Sequence, residues 1–133
     1  WVAPRGQIAI QMPSNHEHIS HRLAHKTAQD MYPGVAAPEP VNVREVEWYA
    51  DAMFQNGFEN CRARLEVYLH PMDSGAEVIE WTKGTLLTRY EKILSADDFA
   101  AFVAEYKRRL LIEIGEGAYV YPFKRMLLWG ERA

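Results

Sequence analysis

The sequence predicts an α/β fold, and three observations predict it. Gln7-Ile8-Ala9-Ile10-Gln11-Met12 is apolar at its centre and stopped by Pro13, the pattern of a buried strand. Residues 60–70 alternate, with Ala63, Leu65, Val67 and Leu69 on one side and Arg62, Arg64, Glu66 and Tyr68 on the other, so a second strand buries one face. Elsewhere apolar residues recur three and four apart, most clearly at Phe99, Phe102, Val103, Tyr106, Leu110 and Ile114, which is helical spacing. The predicted order is β, α, loop, α, β, three helices, β. A strand, a helix and a strand make one right-handed crossover. The last two strands are then placed to pair antiparallel, and the three helices between them are too long an excursion for a connector. Excursions of that length build lids or binding walls.

Each element has its own signals. Pro4-Arg5-Gly6 is a turn, and the strand after it needs neighbours on both sides to satisfy its backbone. No initiator Met, signal peptide or capping element precedes that strand, so the chain reads as a piece of a larger α/β protein. Four helix starts share one device: Ser14…Glu17, Asn42…Glu45, Ser74…Glu77 and Ser95…Asp98 each put a capping oxygen three residues before a carboxylate. Asp98 is short for the reach back, which makes the fourth box the weakest. The first helix is predicted from about Asn15 to Met31, with a thin apolar stripe and a face of histidines, and Tyr32-Pro33-Gly34 ends it. Residues 33–41, with three prolines, form a loop. The second helix runs from about Val43 to Asn56, with Val46, Tyr49, Ala50, Met53 and Phe54 on one face and Gly57 as terminator. Pro71 ends the second strand. Helical segments follow at about 75–83 and 85–94, then a long helix from about Ala96 to Ile114, stopped by Gly115 and Gly117. The last strand is predicted at about Ala118 to Glu131, with regular pairing only from Phe123 to Gly130 because Pro122 interrupts it.

Composition bounds the function. At 133 residues, 48% hydrophobic and 25% charged, the chain is an ordinary globular domain. A net charge of −3 argues against a nucleic-acid binder. The single cysteine, Cys61, excludes an internal disulfide framework and fits a reducing cytoplasm. No apolar run approaches the ~18–20 residues that span a bilayer, and no 20–50-residue repeat is present.

In that order of elements, Gln7–Asn15 (QIAIQMPSN) at a strand end resembles the fifth strand and following loop of trans-aconitate methyltransferases, which are class I S-adenosylmethionine-dependent enzymes. The resemblance continues through Ser20-His21, Trp48-Tyr49-Ala50 with Gly57-Phe58, Val78-Ile79-Glu80-Trp81, Thr82–Leu94, Phe102–Leu111 (FVAEYKRRLL) and Phe123–Arg132, nearly the whole chain in order. It implies the C-terminal part of a Rossmann-like sheet, strands five to seven with the last two antiparallel. An inserted helical substrate cap, at about 14–32 and 74–115, would complete one domain over 1–133. The glycine-rich loop and ribose-holding acid of the cofactor half have no counterpart here, and no G-x-G-x-x-G occurs. The resemblance implies S-adenosylmethionine as the cofactor of the parent; this piece is expected to bind it weakly or not at all, and to be inactive alone.

The candidate site residues are Asn15, His16, His21, Trp81, Arg89, Tyr121 and Arg125, all as contacts to a small polycarboxylate. Asn15 and His16 sit after a strand's carboxyl end and at a predicted helix N-terminus, where free N–H groups favour anions; the competing reading is a plain helix start. His21 falls at a position matching the family. His18, His21 and His25 share a helical face, but Ser20 breaks the H-E-x-x-H pattern and no cysteine or acidic cluster completes a tetrahedral site, so a solvated polar face or substrate-contacting imidazoles are preferred to a metal centre. Arg89 suits a carboxylate through a two-pronged bond, against a merely solvated charge. Trp81 would wall off water, against plain packing between helices. Tyr119, Tyr121 and Arg125 line the start of the last strand; Arg125 matches a basic family position and Tyr121 is chosen on placement. Lys107-Arg108-Arg109 reads as a solvated face. A carboxylate is already ionised at pH 7, so methyl transfer to it needs orientation and exclusion of water rather than a strong base; no catalytic residue is assigned. No nucleic-acid or membrane partner is expected. The open sheet edge predicts a dimer or a swapped assembly. The alternative function is a non-enzymatic α+β ligand-binding or dimerisation module.

Overall fold

The last strand is the one on which the others pair. In the structure, a computed structural model that describes residues 2–35, 38 and 42–133, the elements run β1 (Gln7–Pro13), α1 (Ile19–Met31), α2 (Val46–Gln55), β2 (Phe58–Met72), α3 (Gly75–Lys83), α4 (Thr88–Glu91), α5 (Ala96–Ile114) and β3 (Tyr119–Arg132). The predicted order of strands and helices is the observed one. The loop expected at 33–41 lies largely outside the described residues. The chain divides into two compact units: Trp1–Asn15 with Asn42–Leu69 and Pro122–Ala133, and His16–Val41 with His70–Tyr121.

The first unit is built on the sheet, ordered β1-β3-β2. β1 pairs antiparallel with β3, from Gln7 opposite Glu131 to Pro13 opposite Arg125. β2 also runs antiparallel to β3: the Ala133 N–H donates to the Gly57 carbonyl, Asn60 donates to Glu131, and the Arg62 guanidinium lies 5.9 Å from the Trp129 ring centre. Ile8, Ile10 and Met12 face Gly130, Leu128 and Met126 across the pair, giving the sheet one apolar face. α2 lies against that face at Gly130, where a Cβ would come within 2.7 Å of Met53 Cε. Gly57, at φ +74, takes the left-handed turn that ends α2 and starts β2.

The second unit is helical. α1, α3 and α4 pack on α5. Its core holds Ala24, Val78, Ile79, Leu87, Tyr90, Phe102, Tyr106 and Leu110, all nearly inaccessible. Burying one such large side chain contributes about 1.5–3 kcal/mol. The Tyr90 and Phe102 rings lie 4.8 Å apart, and Phe102 and Tyr106 stack at 6.2 Å. Among the described residues no helix is long and apolar enough to cross a membrane.

Several local expectations are corrected. α1 begins at Ile19, and its cap is His18, whose Nδ1 accepts from the Ser20 N–H. Ser14 and Asn15 do not start the helix because β3 uses them: the Ser14 N–H donates to the Lys124 carbonyl, and the Lys124 N–H donates to Asn15 Oδ1 at 2.7 Å. The pairing of β1 thus continues past Pro13 through a side chain. α2 begins at Val46, with no side-chain bond at its cap, so the Asn42 box does not form, and Phe54 is 72% exposed rather than buried. Ser74 caps α3 without a side-chain bond; Glu77 reaches back one residue further, to the Asp73 N–H. Only half of the fourth box forms: the Asp98 N–H donates to Ser95 Oγ, but Asp98 Oδ2 accepts from the Ser95 hydroxyl and not from the Ser95 N–H. The segment 85–94 holds only the single turn of α4. β2 passes through Pro71 and β3 through Pro122.

Two faces also differ from expectation. Leu65, Val67 and Leu69 are 45%, 52% and 67% exposed, because α2 covers the sheet only near its Gly130 end. Arg108 and Arg109 are not simply solvated. Both bond Glu105, and Arg109 also reaches Asp30 of α1 at 2.6 Å, tying α1 to α5. The two guanidiniums hold the Glu105 carboxyl down, to about 2.

Candidate functional site

The sheet unit contributes its polar residues mainly to its own structure. Asn15 is buried, and its amide oxygen is committed to the Lys124 backbone. Arg125 donates to Gln11 Oε1 and lies 4.9 Å from the Phe123 ring centre. A cleft of about 530 Å³ in this unit is lined by Ile10, Tyr49, Met53, Phe58 and Leu128, with Arg132 at its edge. Arg132 donates to the Asn56 carbonyl, so among the described residues the cleft is an apolar recess whose lining cation is engaged.

Polar chemistry gathers in the helical unit, at the start of α1. Ser20 is fully buried and is the hub. Its Oγ lies 2.8 Å from His18 Nδ1, 3.2 Å from His21 Nδ1 and 3.5 Å from Tyr121 Oη. His18 Nε2 lies 3.0 Å from Tyr119 Oη. The His18 ring packs on Tyr121 at 4.3 Å between centres. Trp81 is 43% exposed, with its ring 5.3 Å from His70 and 6.5 Å from Tyr121. Thr82 and Tyr106 continue the network into the core through a hydroxyl pair at 3.4 Å.

Among the seven candidates, His16, His21, Trp81, Arg89 and Tyr121 belong to this unit, and Asn15 and Arg125 to the other. His21, Trp81 and Tyr121 are joined directly or through Ser20. Arg89 and His16 stand close enough to His21 to affect its charge. His16 itself is part-buried, 3.9 Å from Glu17, in the turn before α1 rather than on the helix. Trp81 packs on rings, as the plain packing reading has it, while one side stays open. His18 and Ser20 were missed as members of the cluster. The signal for Ser20 was its place between two histidines; that for His18 was the cap position, which the Ser14 box obscured.

Electrostatics set the protonation state. Burial first, then the neighbouring His18, His16 and Arg89, lowers the His21 pKa to about 4, so this imidazole is neutral at pH 7. Burial raises the Tyr121 and Tyr119 phenols, which stay protonated donors. Arg89 is part-buried and has no ion-pair partner among the described residues. The cluster therefore offers one uncompensated cation, a neutral imidazole and phenolic donors. That arrangement suits an anion and leaves a basic nucleophile or base unassigned. Among the described residues no three His, Cys, Asp or Glu side chains are placed to hold a metal ion.

The neutral His21 makes stability depend on pH. In the unfolded chain this histidine binds a proton near its ordinary 6.5; in the folded protein it does so only near 4. Between these values the unfolded state holds more protons, so stability falls as pH drops from 6.5 towards 4. Allowing for its partial solvent exposure, the loss is about 1–2 kcal/mol. Urea midpoints measured across that range should decline in the wild type, and the decline should be shallower in His21→Gln.

No protein-family profile matches the chain. Curated proteins do. The chain is 33% identical over 141 aligned positions to the trans-aconitate 2-methyltransferase of Deinococcus radiodurans, covering 98% of this chain and 54% of that protein. It is 31% identical over 139 positions to the trans-aconitate 2-methyltransferase of Sinorhizobium fredii, with 99% and 54% covered. It is 30% identical over 144 positions to that of Delftia acidovorans, with 98% and 54% covered. The chain spans about half the length of the curated relatives it matches.

Proposed function

We propose that this chain, similar along nearly its whole length to trans-aconitate 2-methyltransferases, is the acceptor-binding part of an O-methyltransferase that esterifies one carboxylate of a small polycarboxylic acid, trans-aconitate first among them. In this reading β1, β2 and β3 are strands five, six and seven of a Rossmann-like sheet, and the helical unit is the substrate cap. The order β1-β3-β2, with the last strand antiparallel between two others, supports that numbering. A cytoplasmic place is part of the same proposal, supported by the unpaired Cys61.

The expected methyl donor is S-adenosylmethionine, and the described residues do not fit it. The two glycines at positive φ, Gly57 and Gly115, end helices instead of following a strand, so neither opens a strand-to-helix loop that would cradle a cofactor. In this reading its seat belongs elsewhere in the whole protein.

What this chain's residues do is hold the acceptor. The observation that carries the reading is Arg89, a part-buried guanidinium unmatched by any carboxylate among the described residues, beside the neutral His21. A polycarboxylate brings the missing negative charge. Arg89 takes one carboxylate in a forked bond, while Trp81, 43% exposed, closes the molecule from water. The attacking carboxylate needs no base, in keeping with a His21 that is neutral at pH 7.

The test uses the full-length protein that contains this chain, with methyl-labelled S-adenosylmethionine and a panel of tricarboxylates. A labelled, base-labile ester of trans-aconitate is the expected product. Arg89→Ala should raise KM for the acid about 10–100-fold, the loss of one or two charge-assisted bonds, with kcat changed far less. No ester from any acid in the panel would overturn the proposal.

A further inference from the structure

The direction of the hydrogen bonds around Ser20 assigns a role to a residue outside the seven candidates. The Ser20 N–H donates to His18 Nδ1 at 3.2 Å, so that nitrogen carries a lone pair and the His18 proton sits on Nε2. Ser20 Oγ is 2.8 Å from the same Nδ1; two lone pairs facing at that distance would repel, so the Ser20 O–H also donates to it. Ser20 Oγ is then left to accept, from His21 Nδ1–H at 3.2 Å and from the Tyr121 O–H at 3.5 Å. At the other end His18 Nε2–H donates to Tyr119 Oη at 3.0 Å. Every bond in the chain points one way, from His21 and Tyr121 through Ser20 and His18 to Tyr119. Aligned bonds of this kind polarise one another.

Tyr119 accepts from His18, is half-buried, and donates to no acceptor among the described residues. We propose that the Tyr119 hydroxyl is the donor that selects and orients one carboxylate of the polycarboxylate acceptor, and that His18 is the positioning residue that turns it outward. The proposal rests on the polycarboxylate reading above and adds a specificity-determining residue to it. His18 acts through Tyr119; Ser20 acts through His18. A monocarboxylate that satisfies Arg89 alone forgoes the Tyr119 bond, so the residue discriminates by the number and spacing of carboxylates.

Two measurements on the full-length protein test this separately from the methyltransferase reading. Histidine side-chain NMR should show His18 protonated at Nε2 and His21 at Nδ1 at pH 7; His18 protonated at Nδ1 overturns the wiring, whatever the activity. Tyr119→Phe, which keeps the ring, should weaken the tricarboxylate about 10-fold, read as KM or as Kd in a trans-aconitate titration, with kcat within about threefold. Ser20→Ala should do the same to a smaller degree and disturb the His18 tautomer. Unchanged KM and Kd in Tyr119→Phe overturns the proposal, including when its thermal stability falls. If no acid is methylated but trans-aconitate binds with the predicted loss in Tyr119→Phe, the reaction fails and the binding role stands. If trans-aconitate does not bind at all, both fail.

Discussion

Replacing Phe102 with alanine should cost the protein about 3–5 kcal/mol, the range for removing a fully buried aromatic side chain. Phe102 has no solvent exposure and sits between Tyr90 at 4.8 Å, Tyr106 at 6.2 Å and Phe99 at 6.2 Å. The loss has two parts: the transfer of the ring's surface back to water in the unfolded state, and a cavity that three surrounding rings are too stiff to fill. Domains of ordinary stability have about 5–15 kcal/mol in hand, so the variant should have a strongly lowered urea midpoint or be largely unfolded. Phe102→Leu keeps most of the volume and should lose under about 1.5 kcal/mol. Equal midpoints for wild type and Phe102→Ala would mean that α5 does not carry the core of the helical unit.

The same packing matters for the proposed site. Tyr106 belongs both to the aromatic stack and, through Thr82, to the hydroxyl network that leads towards Ser20 and Tyr121. Burial pushes the Tyr106 phenol up, so it remains a neutral hydrogen-bonding group at any physiological pH. A neutral interior behind Arg89, which has no ion-pair partner among the described residues, keeps the local charge positive, as the proposed anionic acceptor requires. The polar cluster is thus built outward from the aromatic core.

How much of this the sequence disclosed follows from the kind of signal involved. The extent of α5 was legible because its apolar spacing and its Ser95 cap both act within a few residues; the predicted and observed limits, Ala96 and Ile114, coincide. The order of strands and helices was legible for the same reason. The start of α1 was not, because the side chain that displaces the Ser14 box, His18, is fixed by Tyr119, 101 residues away, and because Asn15 is claimed by Lys124, 109 residues away. Arg109 read as a solvated charge for want of any local sign of Asp30. Of the site candidates chosen from position and resemblance, His21, Trp81 and Tyr121 come together in one cluster. Tyr119 and His18 were seen but not joined, since the direction of a hydrogen bond depends on which nitrogen faces which oxygen, and no periodicity encodes that.

The second large effect is expected at Gly75, where helix propensity predicts the wrong sign. Gly75 is the first residue of α3, and alanine is ordinarily better than glycine in a helix by up to ~1 kcal/mol. Here a Cβ would lie 2.1 Å from the Gly115 carbonyl oxygen and 3.0 Å from Leu111 Cδ2. The oxygen is backbone, at the C-cap of α5, where Gly115 holds φ +81, and the Gly75 N–H donates to the neighbouring Glu116 carbonyl. Neither helix end yields without breaking that contact, so Gly75→Ala should destabilise by about 1–3 kcal/mol, the ordinary cost of overpacking, and more if α3 shifts. Gly130 supplies the comparison. A Cβ there meets Met53 Cε at 2.7 Å, the far end of a flexible side chain, and Cys61 Sγ at 3.2 Å. Gly130→Ala should therefore cost less than Gly75→Ala, because a methionine swings aside where a carbonyl does not. Paired urea titrations decide it: a Gly75→Ala protein as stable as wild type, or less perturbed than Gly130→Ala, would show that the α3 start is not seated on the end of α5.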